Sequence, residues 1–316
     1  MSKTTYYTDQ QLSSLIAKYR LLGFPIDEII VPERKQVAII HLSELEHLVV
    51  IPSDVKALNS ASGFYKDDDG NERWNGELEF TKTIREYKGN LKVVGGSGLY
   101  NLNIAFENCR FDKIDLTMLD ASNVHSMRYT FSSCAGDDTT EINFGDFDTS
   151  NVTDMTETFS YMVCNSLDLS KFNTSKVYTM KGMFKFSMIK ELDISNFDLK
   201  NVCIMDEMFS YLSTDSLELG DFYTPGLSSM ERMFTGATLN KLDLGKINTS
   251  KVHSMREAFK CVKIQENKPI DLSTLSVLPY IRVDTNGAFD LIKSDIKLSD
   301  QRLLDEYGTR LIPEII

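Results

Sequence analysis

The chain has 316 residues, 42% of them hydrophobic and 25% charged, which is enough apolar material for a large core in one elongated fold or in two domains. Asp plus Glu number 46 against 34 Lys plus Arg, and the formal net charge of -12 repels nucleic-acid phosphates and anionic membrane surfaces at long range. No apolar run approaches the roughly 20 residues of a membrane-spanning helix, and 17 Gly with 7 Pro exclude collagen-like and Pro-rich linker classes.

Residues 1–95 read as an amino-terminal cap or a small α+β domain. The opening MSKTTYYTDQQLSS lacks the basic start, apolar core and cleavage site of a secretory signal, so an intracellular or virion-associated location is expected rather than the cell surface. Thr8 followed by Gln11 predicts a capping box, and Leu12, Leu15, Ile16, Tyr19 and Leu22 form one face of a helix ending before Gly23. VAIIHL from Val37 and LEHLVVIP from Leu45 predict two strands, the second ended by Pro52. KDDDGNERWNGE from Lys66 reads as a charged loop; it holds several oxygen ligands but has Leu78 where a calcium loop needs its last glutamate. Leu78 to Phe80 and Leu91 to Val94 predict further strands, and GGSG at Gly95 predicts a turn into the first repeat, since it lacks the Lys-Ser or Lys-Thr of a phosphate loop.

From there to about residue 290 the chain repeats itself every 25 residues. LDLSKFNTSKVYTMKGMFKFSMIKE from Leu167 and LDISNFDLKNVCIMDEMFSYLSTDS from Leu192 are in register, with further units at Leu217 and Leu242. Three columns fix the alignment. Met127, Met155, Met180, Met205, Met230 and Met255 form one; Phe106, Phe131, Phe159, Phe184, Phe209, Phe234 and Phe259 form another; Val124, Val152, Val177, Val202, Leu227 and Val252 form the third. One step of 28 residues is accounted for by the extra polar turn SSCAGDDTTE, and an altered late copy runs from Ile270 to Phe289. A period of this length means that one small unit is stacked on copies of itself, the methionines and phenylalanines filling a common core.

Within a unit, apolar residues alternate around one polar residue, as in Leu192-Asp193-Ile194, and predict a very short strand with one wet face. Val177, Met180, Met183 and Phe184 fall at offsets 0, 3, 6 and 7 and predict a short helix, with Ser150 or Ser175 capping such helices. The fold class expected is therefore an α/β solenoid, a leucine-rich-repeat-like stack of short parallel strands and short helices, between a cap at 1–95 and a helical cap and tail at 291–316. In that tail Leu298, Leu303, Leu304 and Tyr307 predict a helix stopped by Gly308, and the apolar Leu311, Ile312, Ile315 and Ile316 come after it.

NFGDFDTSNVTDMTETF from Asn143, LDLSKFNTSKVYTMKGMF from Leu167 and LDLGKINTSKVHSMREAF from Leu242 resemble the BspA-like leucine-rich repeats, also called the Mycoplasma lipoprotein-type or DUF285 repeats. The resemblance covers about 99 to 289. It implies a leucine-rich-repeat-like solenoid, recognition or adhesion through the repeats, and frequent display on bacterial, protist or large-virus surfaces. It carries no shared catalytic residues.

The polar residue of each strand triplet makes a further column, Asp115, Asn143, Asp168, Asp193, Glu218, Asp243 and Asp271. This column is the candidate binding surface. Its mutual repulsion is answered either within each turn, by hydrogen bonds from groups such as those starting at Ser170 and Ser195, or by a basic protein partner or a divalent cation. The four histidines, His41, His47, His125 and His253, are scattered and specify no metal site. The five cysteines form no close pair in sequence and suit reduced thiols, although Cys109 and Cys134 fall one above the other if the units stack. Three sequons, at Asn151, Asn173 and Asn248, read as turn and capping sequence rather than glycosylation sites.

No catalytic residue, cofactor or metal is assigned. The expected function is that of a non-enzymatic protein-binding or structural protein working through its repeat surface. The alternatives are a virion or particle component assembled through its non-repeat ends, including a homo-oligomer, and an enzyme with its site in the amino-terminal region.

Overall fold

The computed structural model describes residues 7–30, 36–59, 64–66, 72–74, 77–134, 140–264, 270–271, 275, 288 and 296–297. The chain forms two compact units, Met1–Val152 and Thr153–Ile316.

In the first unit α1 (Asp9–Leu21) starts where the sequence predicts. The Gln11 N–H donates to the Thr8 hydroxyl at 3.3 Å and the Thr8 N–H donates to Gln11 Oε1 at 2.7 Å, satisfying two of the free donors of the first turn. Leu12 is buried, and Leu15, Ile16 and Tyr19 pack with it on Ala38, Ile40, Leu48, Val50 and Val94. Leu22, expected on the same stripe, lies just past the helix end and is 61% exposed.

The strands come next as β1 (Ile26–Ile30), β2 (Gln36–Ser43), β3 (Glu46–Ile51), β4 (Ala57–Asn59), β5 (Phe64–Lys66), β6 (Glu72–Trp74) and β7 (Glu77–Glu79). After α2 (Phe80–Ile84) come β8 (Lys88–Gly95), β9 (Arg110–Leu119) and β10 (Glu141–Asn143). The stretch from Lys66 is not simply a loop: Phe64, Tyr65 and Lys66 pair with Trp74, Arg73 and Glu72 in an antiparallel ladder. Its acidic cluster at 67–70 lies outside the described residues.

One sheet in the order β1-β2-β3-β8-β9-β10 joins the amino-terminal strands to the first repeats. β1, β2 and β3 pair antiparallel, as short connections require, whereas β3, β8, β9 and β10 run parallel. Val37, Ala38, Ile39 and Ile40 are all fully buried, so β2 is covered on both faces. The turn predicted at GGSG is present. Gly95 and Gly96 have φ of +91° and +82°, and a Cβ on Gly95 would stand 2.1 Å from the Ile51 carbonyl oxygen.

The second unit contains β11 (Val163–Ser166), β12 (Met188–Asp193), β13 (Ser216–Glu218), β14 (Thr238–Leu239), β15 (Lys263–Ile264), β16 (Ile270–Asp271) and β17 (Ile296–Lys297). Val163 pairs with Met188, Leu192 with Leu217 and Thr238 with Lys263, all parallel and all 25 residues apart. The altered late copy continues the winding, since the Phe259 N–H donates to the Ala288 carbonyl at 2.8 Å and Ile270 pairs with Ile296. Phe289 and the helix predicted after Ser299 lie outside the described residues.

The winding is that of a β-solenoid, with parallel strands stacked at the period read from the sequence and very little helix. Every Met and Phe of the two repeat columns is fully buried. Rings of successive rungs stack face to face, Phe106 on Phe131 in the first unit at 5.3 Å and Phe159, Phe184, Phe209, Phe234 and Phe259 in the second at 5.1 to 5.9 Å.

Among the described residues, the helices expected in the repeats are absent. Met180, Gly182, Phe184 and Phe186 donate their N–H groups to Ile204, Asp206, Met208 and Ser210 of the next rung, at 2.8 to 3.0 Å. Met183, Lys185 and Ser187 close turns onto Met180, Gly182 and Phe184. An α-helix would send every one of these donors four residues back. Gly182 at φ +60° and Phe186 at +57° instead bend the segment into linked turns that bury the same stripe a helix would have buried. Ser150 and Ser175 therefore cap nothing. Their N–H groups donate to Asp148 and Asn173 Oδ1, at 2.8 and 3.1 Å, in side-chain turns.

Candidate binding surface

Each rung turns sharply straight after its strand triplet, and the column carboxylates build that turn. The Oδ1 atoms of Asp168, Asp193 and Asp243 accept the N–H of Ser170, Ser195 and Gly245 at 2.9 to 3.0 Å. Asp115 Oδ1 accepts both the N–H and the hydroxyl of Thr117, at 3.0 and 2.7 Å, and Lys92 stands 3.3 Å from its other oxygen. Glu218 has a longer stem and pairs with Lys241 at 2.8 Å. Bonds from the Ser170 hydroxyl and amide hold Asp168 below the ordinary carboxylate range. Burial raises Asp115, and the two Thr117 bonds with the Lys92 charge more than reverse it.

Register sets Asn143 beside Asp115 in the first unit and Glu218 beside Asp193 in the second. Asp271 pairs through its backbone with Lys297. Asp115, Asp168, Asp193 and Asp243 of the column thus form turns, Asp115 and Glu218 have lysine neighbours, and Asp168, Asp193, Glu218 and Asp243 stay exposed.

Beyond that turn, the loop of each rung has its own register. Asp148, Asn173, Asp198 and Asn248 each accept the N–H two residues on, at 2.8 to 3.1 Å. In the next place, Thr174 and Thr224 are buried and donate their hydroxyls to the carbonyls of Asp198 and Asn248 in the following rung, at 3.1 and 3.4 Å. Two adjacent rungs break this register. Leu199 stands where the others carry Thr, and Tyr223 stands where they carry Asp or Asn, with Pro225 supplying no N–H to be accepted.

A cleft of about 540 Å³ opens at that place, lined by residues 195–200, by Asp221, Phe222 and Tyr223 and by Lys246. Tyr223 is 46% exposed at its edge. Lys246 pairs with Asp221 at 2.8 Å and Lys200 with Asp198 at 3.6 Å, so the rim carries both signs of charge. Ser195, whose N–H is held by Asp193, links the cleft to the carboxylate column. The column was visible in the sequence; the cleft was not, although the two departures at Leu199 and Tyr223 were its signal.

The first unit brings together two of the histidines that appeared scattered. His41 and His47 flank a two-residue turn, which makes them cross-strand partners. His47 Nε2 donates to the Lys88 carbonyl at 3.0 Å, its Nδ1 lies 2.9 Å from His41 Nδ1, and His41 Nε2 lies 2.9 Å from Asp27 Oδ2. The Tyr87 hydroxyl donates to the same Asp27 oxygen. Tyr87 and His41 together hold Asp27 low, burial pushes His47 below its ordinary value, and burial with Asp27 raises Tyr87 to about 12. All four ring nitrogens are spent on hydrogen bonds, and the chain of contacts ties β1 to β2, β3 and the start of β8. His125 and His253 are exposed, as expected of the polar side of the repeat.

The fold and the repeat register define a β-solenoid repeat protein. The family model described as "Mycoplasma protein of unknown function, DUF285" matches residues 100–213 and 185–276, and the chain belongs to that family. No curated protein and no solved structure matches the chain. No helix among the described residues is long and apolar enough to cross a membrane.

Proposed function

We propose that the chain is a non-enzymatic binding module that takes a protein partner along the loop row of its second unit, with the cleft at Tyr223 as the centre of contact. The observation that carries this reading is the coincidence of the cleft with the two departures from the loop register. Leu199 and Tyr223 give up hydrogen bonds that the neighbouring rungs keep, and the large amphipathic ring of Tyr223 is left half exposed in a concave place. Half-buried tyrosines in concave sites are frequent anchors of protein interfaces. Asp193, Glu218 and Asp243 are exposed and precede the cleft residues Ser195, Asp221 and Lys246 in their rungs, and with the exposed Asp168 they favour a partner with a basic edge.

The test is cross-linked affinity capture from the native source, purification of the captured protein and measurement of its affinity for variants. Tyr223→Ala is expected to weaken binding at least about tenfold. Asp168→Lys, Asp193→Lys and Asp243→Lys together are expected to slow association and to weaken its salt dependence. Unchanged affinity in both variants would remove the surface assignment.

A further inference from the structure

Cys109 and Cys134 are the only cysteines that the described residues place in neighbouring rungs at the same position. Both side chains are buried, and their Sγ atoms lie 3.1 Å apart. The rungs here are in strict register: the Phe106 and Phe131 rings, three residues before each cysteine, stack at an interplanar angle of 3°. The Phe106 and Asn108 N–H groups donate to the Thr130 and Ser132 carbonyls at 2.8 and 2.9 Å. Adjacent parallel strands hold equivalent Cα atoms about 4.8 Å apart. That spacing falls inside the roughly 4.4–6.8 Å that a disulfide spans, and the sulfurs have about 1 Å to travel to reach bonding distance.

The same inward position is filled by Met162, Ser187, Leu212, Ala237 and Val262 in the second unit, so packing alone sets no demand for sulfur. Ser187 even reproduces the other contact of the pair. Its hydroxyl donates to the Phe159 carbonyl at 2.7 Å, as the Cys134 thiol does to the Phe106 carbonyl at 2.9 Å. A serine therefore satisfies that carbonyl; two cysteines one above the other add only the capacity to join.

We infer that Cys109 and Cys134 form a disulfide that staples the first two rungs of the repeat when the protein folds under oxidising conditions. The reaction is exchange with a low-molecular-weight disulfide. The thiolate of one cysteine attacks a sulfur of the reagent and expels one thiol, and the thiolate of the second attacks the mixed disulfide and expels the other. The two protein thiols lose two protons and two electrons, and the reagent is reduced to two thiols. Burial holds the Cys134 thiol well above its ordinary value, so folded Cys134 contains little thiolate. Exchange therefore belongs to the folding or local opening of the rung, and the closed bond is shielded from reductants.

The experiment refolds the reduced full-length chain in mixed reduced and oxidised glutathione, alkylates it and maps its peptides without reduction. The expected product has lost the mass of two hydrogens, yields a linked Cys109–Cys134 peptide pair and leaves Cys164, Cys203 and Cys261 alkylated. Its thermal midpoint lies several degrees above that of the reduced protein. Cys134→Ser, which keeps the bond to the Phe106 carbonyl, should fold with an unchanged circular dichroism spectrum and lose both the linkage and the redox-dependent midpoint. Cys164→Ala should lose neither. A folded wild-type protein whose Cys109 and Cys134 are both alkylated, or are joined to glutathione or to another cysteine, would overturn the inference.

Discussion

The rungs share a pair of residues in the left-handed region, four positions apart. They are Ile104 and Asn108, Tyr129 and Ser133 in the first unit; in the second they include Glu157 and Tyr161, Glu207 and Tyr211, and Glu257 and Cys261. Most carry a Cβ, which costs about 1–2 kcal/mol at each site and is offset by hydrogen bonds to the next rung. Two glycines separate the contributions of φ and space. At Gly182 an added Cβ meets Glu157 Cγ at 2.7 Å, a stem that can move, so Gly182→Ala should cost about 1–2 kcal/mol, the cost of the left-handed φ. At Gly95 the obstacle is the Ile51 carbonyl itself, and Gly95→Ala should cost more than about 3 kcal/mol. Urea unfolding midpoints of the two variants check the ranking.

Acid sensitivity also belongs to single residues. Lys260 and Arg232 hold Glu257 down to about 2, so its contribution is complete above the ordinary carboxylate value and is lost as pH falls from about 4.5 toward 2. Glu257→Gln should flatten the acid limb of a stability profile over that window. His47 acts at milder pH. Its folded value lies below the ordinary one, so below pH 6.5 the unfolded chain binds a proton that the folded chain does not, and stability declines as pH falls from there. His47→Gln should remove that slope, read by following unfolding between neutral and mildly acidic pH.

At the scale of the element, the second unit has two aromatic ladders with different work. The inner one runs through Phe184, Phe209 and Phe234, all fully buried. The outer one stacks Tyr161 on Phe186 and Phe186 on Tyr211, at 4.9 and 4.7 Å, with all three rings partly in solvent. Phe209→Ala removes a ring with partners on both sides and should cost about 4 kcal/mol, whereas Tyr211→Ala should cost about 1 kcal/mol, measured by the same unfolding assay. Sequence periodicity exposed the inner ladder because burial demands apolar residues at a fixed step. It misassigned the backbone between Val177 and Phe184, because offsets of 0, 3, 6 and 7 suit both a helix and a chain of linked turns. Gly182 two residues before Phe184 and Gly236 two residues after Phe234, with a segment too short for a stable helix, were the discriminating signs.

At the scale of the whole molecule, the described helix consists of α1 with 13 residues and α2 with 5, so the far-ultraviolet dichroism of the full chain should be dominated by strand and turn. The stack and its core columns were legible in the sequence, since each rests on a repeated choice of side chain. The Asp27, His41, His47 and Tyr87 cluster was not read from the sequence. The histidines looked scattered there, and Asp27 and Tyr87 arrive through β1 and the residue before β8, whose neighbours depend on sheet order. The cleft was hidden because it is made by two exceptions, and periodicity averages exceptions away.

Strict register has a consequence for how such a chain changes length. In the second unit backbone donors find partners within their own turns or in the adjacent rung, and buried rings stack one period away, so a copy of residues 180–204 inserted after Ile204 follows its own template upstream and meets downstream the neighbours that template had. An insertion one residue shorter shifts Met, Phe and Val out of their columns and carries polar side chains inward. Growth of this fold is therefore counted in whole turns. Tandem duplication of a gene segment is a neutral step for it when the segment encodes one turn and a disruptive step at most other lengths.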